Sequence, residues 1–302
     1  MGLLSLAIWT PIFFGAVLLA LGHDGQARAT RWIALIGALI GFLITLALVD
    51  AFKLGTSAMQ FVEKATWISR FNVNYHLGVD GISLWFLPLT AFITVVVVIS
   101  AWEAITVRVN QYMGAFLILS GLMIGVFSAL DGILFYVFFE ATLIPMYLII
   151  GIWGGPNKIY AAFKFFLYTL LGSLLMLIAL IFLYTKSGGS FDILTWHKLP
   201  LSSTSQALVF FAFLAAFAVK VPMWPVHTWL PDVHVEAPTG GSAVLAAIML
   251  KLGAYGFLRF SLPITPDASH DYAGLMIGLS LVAVVYVGLV AMVQQDMKKL
   301  VA

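Results

Sequence analysis

The stretch Lys220-Val-Pro-Met-Trp-Pro225 places a charged side chain and two prolines inside an apolar run that extends from residue 207 to 232. Each proline lacks the amide hydrogen that a helix needs, and its ring clashes with the preceding turn, so the helix must kink or break there. Broken backbone at bilayer depth is tolerated only where it is packed in protein or lines a water-filled cavity. The stretch therefore predicts a membrane helix that is broken beside a lysine.

The composition requires lipid as the solvent for most of the chain. Of the 302 residues, 62% are hydrophobic and 9% are charged, whereas a soluble domain carries about 25% charged residues to cover its surface. The net charge of +2 provides no basic field that would attract nucleic acid. The chain has no cysteine, which excludes disulfides, thiolate metal sites and iron–sulfur ligation on it.

Apolar runs long enough to cross a bilayer recur along the whole chain, and each needs about 20 residues in a helix. Barrel strands are shorter and alternate polar with apolar residues, so the predicted fold is an all-α polytopic membrane protein. The nine runs are 3–21, 32–52, 82–101, 112–130, 131–152, 159–184, 207–232, 238–262 and 273–293. The first run has no positive flank or cleavage site, which indicates a retained span. Asp296 is placed to cap the start of a tenth span, and the chain looks cut there.

Two connections between the runs are long. Lys53 to Gly81 is mixed polar and aromatic, with an alternation around residues 71–76 that predicts a short extramembrane hairpin. Lys186 to Gln206 is rich in Ser, Gly and Thr, which predicts a plain loop. Tryptophan residues favour the membrane interface, and four of them lie near the ends of runs: Trp32, Trp102, Trp153 and Trp196.

The charge distribution between the runs does not decide the orientation in the membrane. Lysine and arginine residues outside the runs divide evenly between the two sides. Lys164, just inside the sixth run, favours an N-terminus on the outside.

Three of the fifteen lysine and arginine residues are assigned to the interior of the spans: Lys164, Lys220 and Lys251. Of the carboxylates, Glu140 lies near the middle of its run and Asp50 only at the end of the second run. A charge at mid-bilayer costs about 2.5–3.5 kcal/mol on insertion scales, so such groups face a hydrated interior and pair with one another. One carboxylate near the middle of a run cannot neutralise two lysines at similar depth. A lysine without its counter-charge gives up its proton readily, so Glu140, Lys220 and Lys251 predict a proton relay.

Two simpler interpretations of these charges stay open. Glu140 and Lys220 could form a structural ion pair that fixes the helix register. Lys164 lies about five residues into its run, so its side chain could reach the interface or could link Glu140 to Lys220.

A second polar cluster follows the proline break, with His227, Asp232, His234 and Glu236 within ten residues. Their spacing fits no closed tetrahedral metal site, and no metal is predicted. Imidazole titrates near neutral pH, so His227 and His234 predict a supporting route for proton access. A hydrated interfacial loop is the alternative.

From Lys220 through Phe260 the sequence resembles the signature segment of the antiporter-like membrane subunits of respiratory complex I, most closely the subunit M branch of NADH-quinone oxidoreductase. The segment reads Lys220-Val-Pro222-Met-Trp-Pro225-Val-His227-Thr-Trp-Leu-Pro-Asp232-Val-His234-Val-Glu236-Ala-Pro-Thr239, and a helix of small residues with a central Lys251 follows it. Three other stretches resemble the same family: Leu77-Gly78-Val79-Asp80-Gly81-Ile82-Ser83, Phe138-Phe139-Glu140 and Lys164-Phe165-Phe166-Leu167-Tyr168-Thr169. The resemblance extends over essentially all 302 residues.

The resemblance implies a half-channel in which Glu140 pairs with Lys220, and Lys251 passes protons toward a second, inverted repeat. It divides the chain into N-terminal spans with a hairpin (1–111), an antiporter-like repeat (112–262), and a ninth span with the start of an incomplete second repeat (263–302). It places the loop of Arg28 and Arg31 in the cytoplasm and the chain in a bacterial inner membrane. Family members continue to about fourteen spans, so a fragment of a longer product is expected.

The resemblance also implies the partners, which are the other membrane-arm subunits, including the sister antiporter-like subunits, and the lipid bilayer. No cofactor is expected on this chain, since NADH, FMN, iron–sulfur clusters and quinone belong to partner subunits. Two other functions remain open, a subunit of an Mrp-type Na⁺/H⁺ antiporter and a non-conducting structural subunit. An integral-membrane transferase would have only the cluster near residue 230 to use.

Overall fold

The computed structural model describes residues 2–21 and 24–302. In this part of the chain, nine helices are long and apolar enough to cross a membrane, which confirms the predicted polytopic α-helical fold. Numbered in chain order, the first to ninth spans are Leu3–Leu21, Ala27–Asp50, Phe86–Ala104, Val109–Ser128, Gly132–Trp153, Lys158–Lys186, Ser203–Lys220, Thr239–Ile264 and Ala273–Met292. The fifth span is interrupted only at Thr142, between Gly132–Ala141 and Leu143–Trp153.

Two predicted boundaries are wrong. The second span begins at Ala27, so Arg28 and Arg31 lie on its first turns and not in a loop. An arginine can lie on a membrane helix because its side chain is long enough for the guanidinium group to reach a polar partner near the membrane interface. Arg31 Nη2 donates to the carbonyl oxygen of Ile105 at 3.0 Å.

The seventh span is the second correction, since it covers Ser203–Lys220 and not 207–232. It begins earlier because the Ser202 hydroxyl accepts a hydrogen bond from the amide of Ser205, which caps the first turn. It ends at Lys220 because Pro222 cannot continue the helical hydrogen bonds. A short helix, Trp229–Glu236, follows the break.

The contacts divide the chain into two compact units. The first unit is Met1–Ile149 with Thr239–Ile248, and the second is Ile150–Pro238 with Met249–Ala302. The predicted segments 1–111, 112–262 and 263–302 follow the repeat pattern and stay a prediction.

The first unit contains the predicted hairpin. Strands Gln60–Ile68 and Val73–Val79 pair antiparallel, and Ser69–Phe71 forms the turn between them. The hairpin caps the first span, because the Glu63 carboxylate accepts the amides of Leu4 at 2.9 Å and Ser5 at 3.1 Å. These amides have no partner within their own helix, so a strand completes the start of the first span.

The second unit corrects the predicted plain loop of residues 186–206. Lys186 ends the sixth span, and the loop contains a one-turn helix, Ile193–Trp196, which is capped by Asp192. Trp196 is 0% exposed and donates through Nε1 to the carbonyl oxygen of Ser190 at 2.9 Å. Trp196 therefore packs in the core of its unit and is not an interfacial anchor.

The last two spans contain π-helical turns. They occupy Leu245–Met249 and Phe257–Ser261 in the eighth span and Ala283–Val287 in the ninth. A π turn holds one extra residue, so it changes the direction of every side chain that follows, and such turns are frequent at functional sites.

The predicted tenth element begins as expected. The Asp296 side chain accepts the amide of Lys299 at 3.0 Å and caps the helix Met297–Val301.

Candidate functional site

The break after the seventh span is built from hydrogen bonds that replace the missing helical ones. The amide of Met223 donates to the carbonyl oxygen of Ala218 at 2.8 Å. Trp229, from the short helix, donates through Nε1 to the carbonyl oxygen of Val219 at 2.9 Å. The carbonyls that a proline break leaves without helical partners are therefore satisfied locally, as buried backbone requires. This confirms the predicted break beside Lys220.

Lys220 is the last residue of the seventh span, and the prediction that it lies at the centre of a span is wrong. Its side chain is nevertheless buried, with 1% exposed. The ammonium nitrogen lies 5.5 Å from the centre of the Phe165 ring of the sixth span, an arrangement in which the ring face stabilises a cation. The charged side chain of Lys220 is therefore buried and lies against an aromatic ring.

The eighth span approaches Lys220 through a glycine. A Cβ atom built at Gly253 would lie 2.9 Å from Lys220 Cβ and 2.9 Å from the carbonyl oxygen of Phe217. Only a residue without a side chain allows this contact. The glycine brings the backbone of the eighth span directly against the end of the seventh.

Lys164 pairs with a carboxylate that neither sequence interpretation included. Its Nζ lies 2.6 Å from Asp232 Oδ2, and the two side chains are 19% and 35% exposed. Asp232 is on the short helix Trp229–Glu236, so the pair ties the sixth span to the broken segment. The prediction that one mid-span carboxylate, Glu140, faces two lysines, Lys220 and Lys251, is not affected by this pair and stays a prediction.

Lys251 differs from its prediction, because its side chain is exposed on this chain. It lies in the α-helical part Leu250–Gly256, where Leu252, Gly253, Tyr255 and Gly256 are buried. Lys251 and the residue three positions later share the opposite face of the helix. The π turn Leu245–Met249 immediately before it sets this direction.

Glu140 lies on the fifth span in the first unit and is half-buried. Asp131 anchors the start of this helix, accepting the amides of Ile133 at 3.0 Å and Leu134 at 3.2 Å through Oδ1. Its other oxygen accepts the amide of Asn74 from the hairpin at 2.9 Å. The hairpin therefore fixes the helix that carries Glu140, while the pairing of Glu140 with Lys220 stays a prediction.

The two histidines lie in different surroundings. His227 lines a cavity of about 380 Å³, and its ring centre is 6.4 Å from that of Tyr286 in the ninth span. His234 is 8% exposed. Burial, and secondly the positive charge of Lys298, lower the pKa of His234 below its ordinary value. Their role in proton access stays a prediction.

One buried charge was missed by the sequence analysis. Arg259 was counted with the charges between the spans although it lies near the end of the predicted run 238–262; in the structure it is 5% exposed within the eighth span, which continues to Ile264. Its Nε donates to Tyr255 Oη at 3.1 Å, one turn earlier. The spacing of a tyrosine and an arginine four residues apart was the available signal, since such side chains meet on a helix.

Metal binding has little support in the described part of the chain, where no group of three or more His, Asp and Glu side chains could hold an ion. The ionisable side chains described above lie within or beside the spans. A buried lysine at a proline break, a lysine–aspartate pair and a half-buried glutamate together define an antiporter-like class of multi-span membrane protein.

Comparison with known proteins identifies the family within this class. Residues 129–302 match the family described as NADH:quinone oxidoreductase/Mrp antiporter, TM. The chain belongs to this family.

Named relatives agree with the assignment. The chain is 52% identical, over 99% of its length and 61% of the relative, to NADH-quinone oxidoreductase subunit M of Rhodobacter capsulatus. It is 45% identical, over 99% of its length and 60% of the relative, to NADH-ubiquinone oxidoreductase chain 4 of Arabidopsis thaliana. The chain thus spans about three fifths of the length of the curated relatives it matches.

Solved structures show the same fold. A chain of respiratory complex I from Thermus thermophilus matches with a TM-score of 0.87 at 33% identity, over 98% of this chain and 61% of that one. A chain of the Mrp complex from Dietzia sp. DQ12-45-1b matches with a TM-score of 0.83 at 24% identity, over 98% and 32%. Together with the nine apolar helices in the described residues, the family assignment shows that the chain is a multi-pass inner-membrane protein.

Proposed function

We propose that this chain is part of a proton-translocating membrane-arm subunit of NADH:quinone oxidoreductase. The observation that carries the proposal is the burial of Lys220, 1% exposed, at the end of a helix that prolines break. A buried ammonium beside non-helical backbone is rarely retained for stability, because removing a charge from water costs more than apolar packing would. In this proposal the Lys220 side chain takes up and releases a proton.

The proposed cycle uses three side chains in sequence. Ionised Glu140 stabilises protonated Lys220. When the two groups separate, the ammonium loses its counter-charge in a medium of low dielectric constant, and the proton leaves through water. Lys251 accepts it, and the exposed face of the eighth span that carries Lys251 passes it onward.

The oxidation of NADH and the reduction of quinone would take place on partner subunits. Iron–sulfur clusters need thiolate ligands, and the 302 residues contain no cysteine. The proposed partners are the other membrane-arm subunits, including sister antiporter-like subunits, and the bilayer.

The test measures protons translocated per NADH oxidised in the assembled complex in its native membrane. Lys220→Met and Glu140→Gln should each reduce this ratio strongly while the complex still assembles. Lys198→Met is the matched control, because Lys198 is an exposed lysine in the loop before the seventh span. An unchanged ratio in Lys220→Met would refute the cycle.

The same preparations separate the other functions. Sodium-dependent proton exchange without NADH-driven pumping would identify an Mrp-type antiporter, whose fold the chain shares at a TM-score of 0.83. Unchanged pumping after replacement of Glu140, Lys220 and Lys251 together would identify a non-conducting structural subunit.

A further inference from the structure

The short helix Trp229–Glu236 follows the break, so its position determines the geometry beside Lys220. The helix has only eight residues, and an isolated helix of this length is not stable in water. Contacts from other elements of the second unit must therefore hold it. Three such contacts lie along its polar side.

Two of these contacts come from the sixth span and the turn that leads into it. Lys164 pairs with Asp232 at 2.6 Å. At the other end of the short helix, Glu236 accepts the amide of Asn157 through Oε2 at 2.9 Å and the amide of Gly155 through its backbone oxygen at 2.8 Å. One side of the short helix is thus held by a single neighbouring element.

The third contact comes from the segment after the ninth span. Lys298 Nζ lies 3.2 Å from the carbonyl oxygen of Ala237 and 3.4 Å from that of Val235. The last carbonyls of a helix have no partner within it and carry a partial negative charge, which a cation neutralises. Asp296 caps the helix that carries Lys298, so the cation is presented by an ordered turn.

We propose that Lys298 is a positioning residue, whose cation holds the end of the short helix and thereby the break beside Lys220. The inference rests on the proposed function, in which Lys220 beside that break takes up and releases protons. Lys298 is 63 residues from Val235 in sequence but contacts it in the fold. A displacement of the segment after the ninth span would therefore be transmitted through the short helix to the break.

The position of Lys298 also affects the charge of His234. Charged and titratable groups lie on each element packed against the helix of His234: Asp232 and Glu236 on its own helix, Lys158, Tyr160 and Lys164 on the first two turns of the sixth span with Tyr168, Tyr184 and Lys186 further along it, and Lys298 and Lys299 on the last helix. Asp232 and Lys164 neutralise each other. Burial is the larger cause of the lowered pKa of His234, and the positive charge of Lys298 is the second, so withdrawal of Lys298 would raise that pKa toward its ordinary value.

The first measurement is hydrogen–deuterium exchange of the segment 229–238 in the assembled complex. Lys298→Met should increase exchange there about two- to fivefold, which corresponds to the loss of a cation at a helix end. Lys298→Arg should keep the protection, and Lys299→Met is the matched control with the same change of charge one residue away. Unchanged exchange in Lys298→Met would overturn the proposal.

The second measurement is the pH dependence of proton translocation per NADH. Lys298→Met should move the acid limb of the profile to higher pH, because His234 then takes up a proton at higher pH. Lys298→Gln keeps a donor but removes the charge, so it should move the acid limb with a smaller change in exchange. If Lys298→Met prevents assembly, Lys298→Gln provides both measurements. A pH profile of Lys298→Gln identical to that of the wild type would contradict the charge effect.

These outcomes separate the positioning role from the proposed function. Faster exchange in Lys298→Met, together with unchanged pumping in Lys220→Met, would leave Lys298 as a positioning residue and refute the relay. Loss of pumping in Lys220→Met, with wild-type exchange and pH profile in Lys298→Met, would support the relay and overturn the role of Lys298.

Discussion

Replacing Gly253 by alanine adds one methyl group where the eighth span meets the end of the seventh. The new Cβ would lie 2.8 Å from Val221 Cγ2, 2.9 Å from Lys220 Cβ and 2.9 Å from the carbonyl oxygen of Phe217. The carbonyl oxygen of Phe217 belongs to the helical backbone, so it cannot rotate to another position as a side chain can. Overpacking of this kind costs about 1–3 kcal/mol, a factor of roughly 5 to 140 in the ratio of folded to unfolded protein. The gain in helix propensity, about 1 kcal/mol, offsets part of it.

Thermal unfolding of the purified complex in lipid nanodiscs, followed by the proteolytic susceptibility of this chain, measures the effect. The midpoint of Gly253→Ala should lie roughly 2–12 °C below that of a glycine-to-alanine variant elsewhere in a helix, which has the same gain in helix propensity but no clash. Gly151→Ala is the matched control, since its Cβ would meet only Ala162 Cβ at 3.8 Å, an ordinary contact. Val221→Ala should relieve part of the clash, so the double variant should lose less than the sum of the single variants. Equal midpoints for Gly253→Ala and Gly151→Ala would refute the packing argument.

Three further predictions concern polar contacts. Asp232→Asn should destabilise the chain by only about 1 kcal/mol, because the pair of Asp232 with Lys164 is partly exposed and screened. The charge-swapped double variant Lys164→Asp/Asp232→Lys should restore most of this loss in a thermal melt. If it restores none, the pair contributes nothing to stability. Glu63→Ala should cost about 0.5–2 kcal/mol by uncapping the first span, with faster amide exchange confined to its first turn; uniform exchange changes would count against a capping role. Burial and Lys298 lower the pKa of His234 below 6.5, so the unfolded chain binds the proton first and stability should decrease as pH falls below about 6.5; His234→Gln should remove that part of the pH dependence, and an identical pH profile of the melting midpoint would contradict it.

The sequence predicted the elements that local chemistry determines. Apolar runs of about 20 residues located the spans, because a backbone that crosses lipid has to satisfy its own hydrogen bonds and a helix of that length does so. The prolines at 222 and 225 located the break, because each lacks the amide hydrogen that would bond to the preceding turn of the helix. The hairpin and the cap at Asp296 likewise depend on residues close together in the chain.

The sequence did not predict features that depend on tertiary contacts or on a local change of helix period. The pairing of Lys164 with Asp232 joins residues 68 positions apart, so no spacing rule reveals it. Lys251 was expected to be buried from its depth in a span, but depth does not decide which face of the helix a side chain occupies. That face depends on the π turn Leu245–Met249, which an apolar pattern with a period of 3.6 residues does not reveal.

The cap that Glu63 provides has a consequence for the order in which the protein is made. Gly2, at the start of the first span, contacts Glu63 across 61 positions in the chain. At a ribosomal rate of about 5–20 residues per second, Glu63 is synthesised roughly 3–12 seconds after Gly2. The cap of the first span is therefore completed only after a later strand has been synthesised and has folded back against the start of the helix.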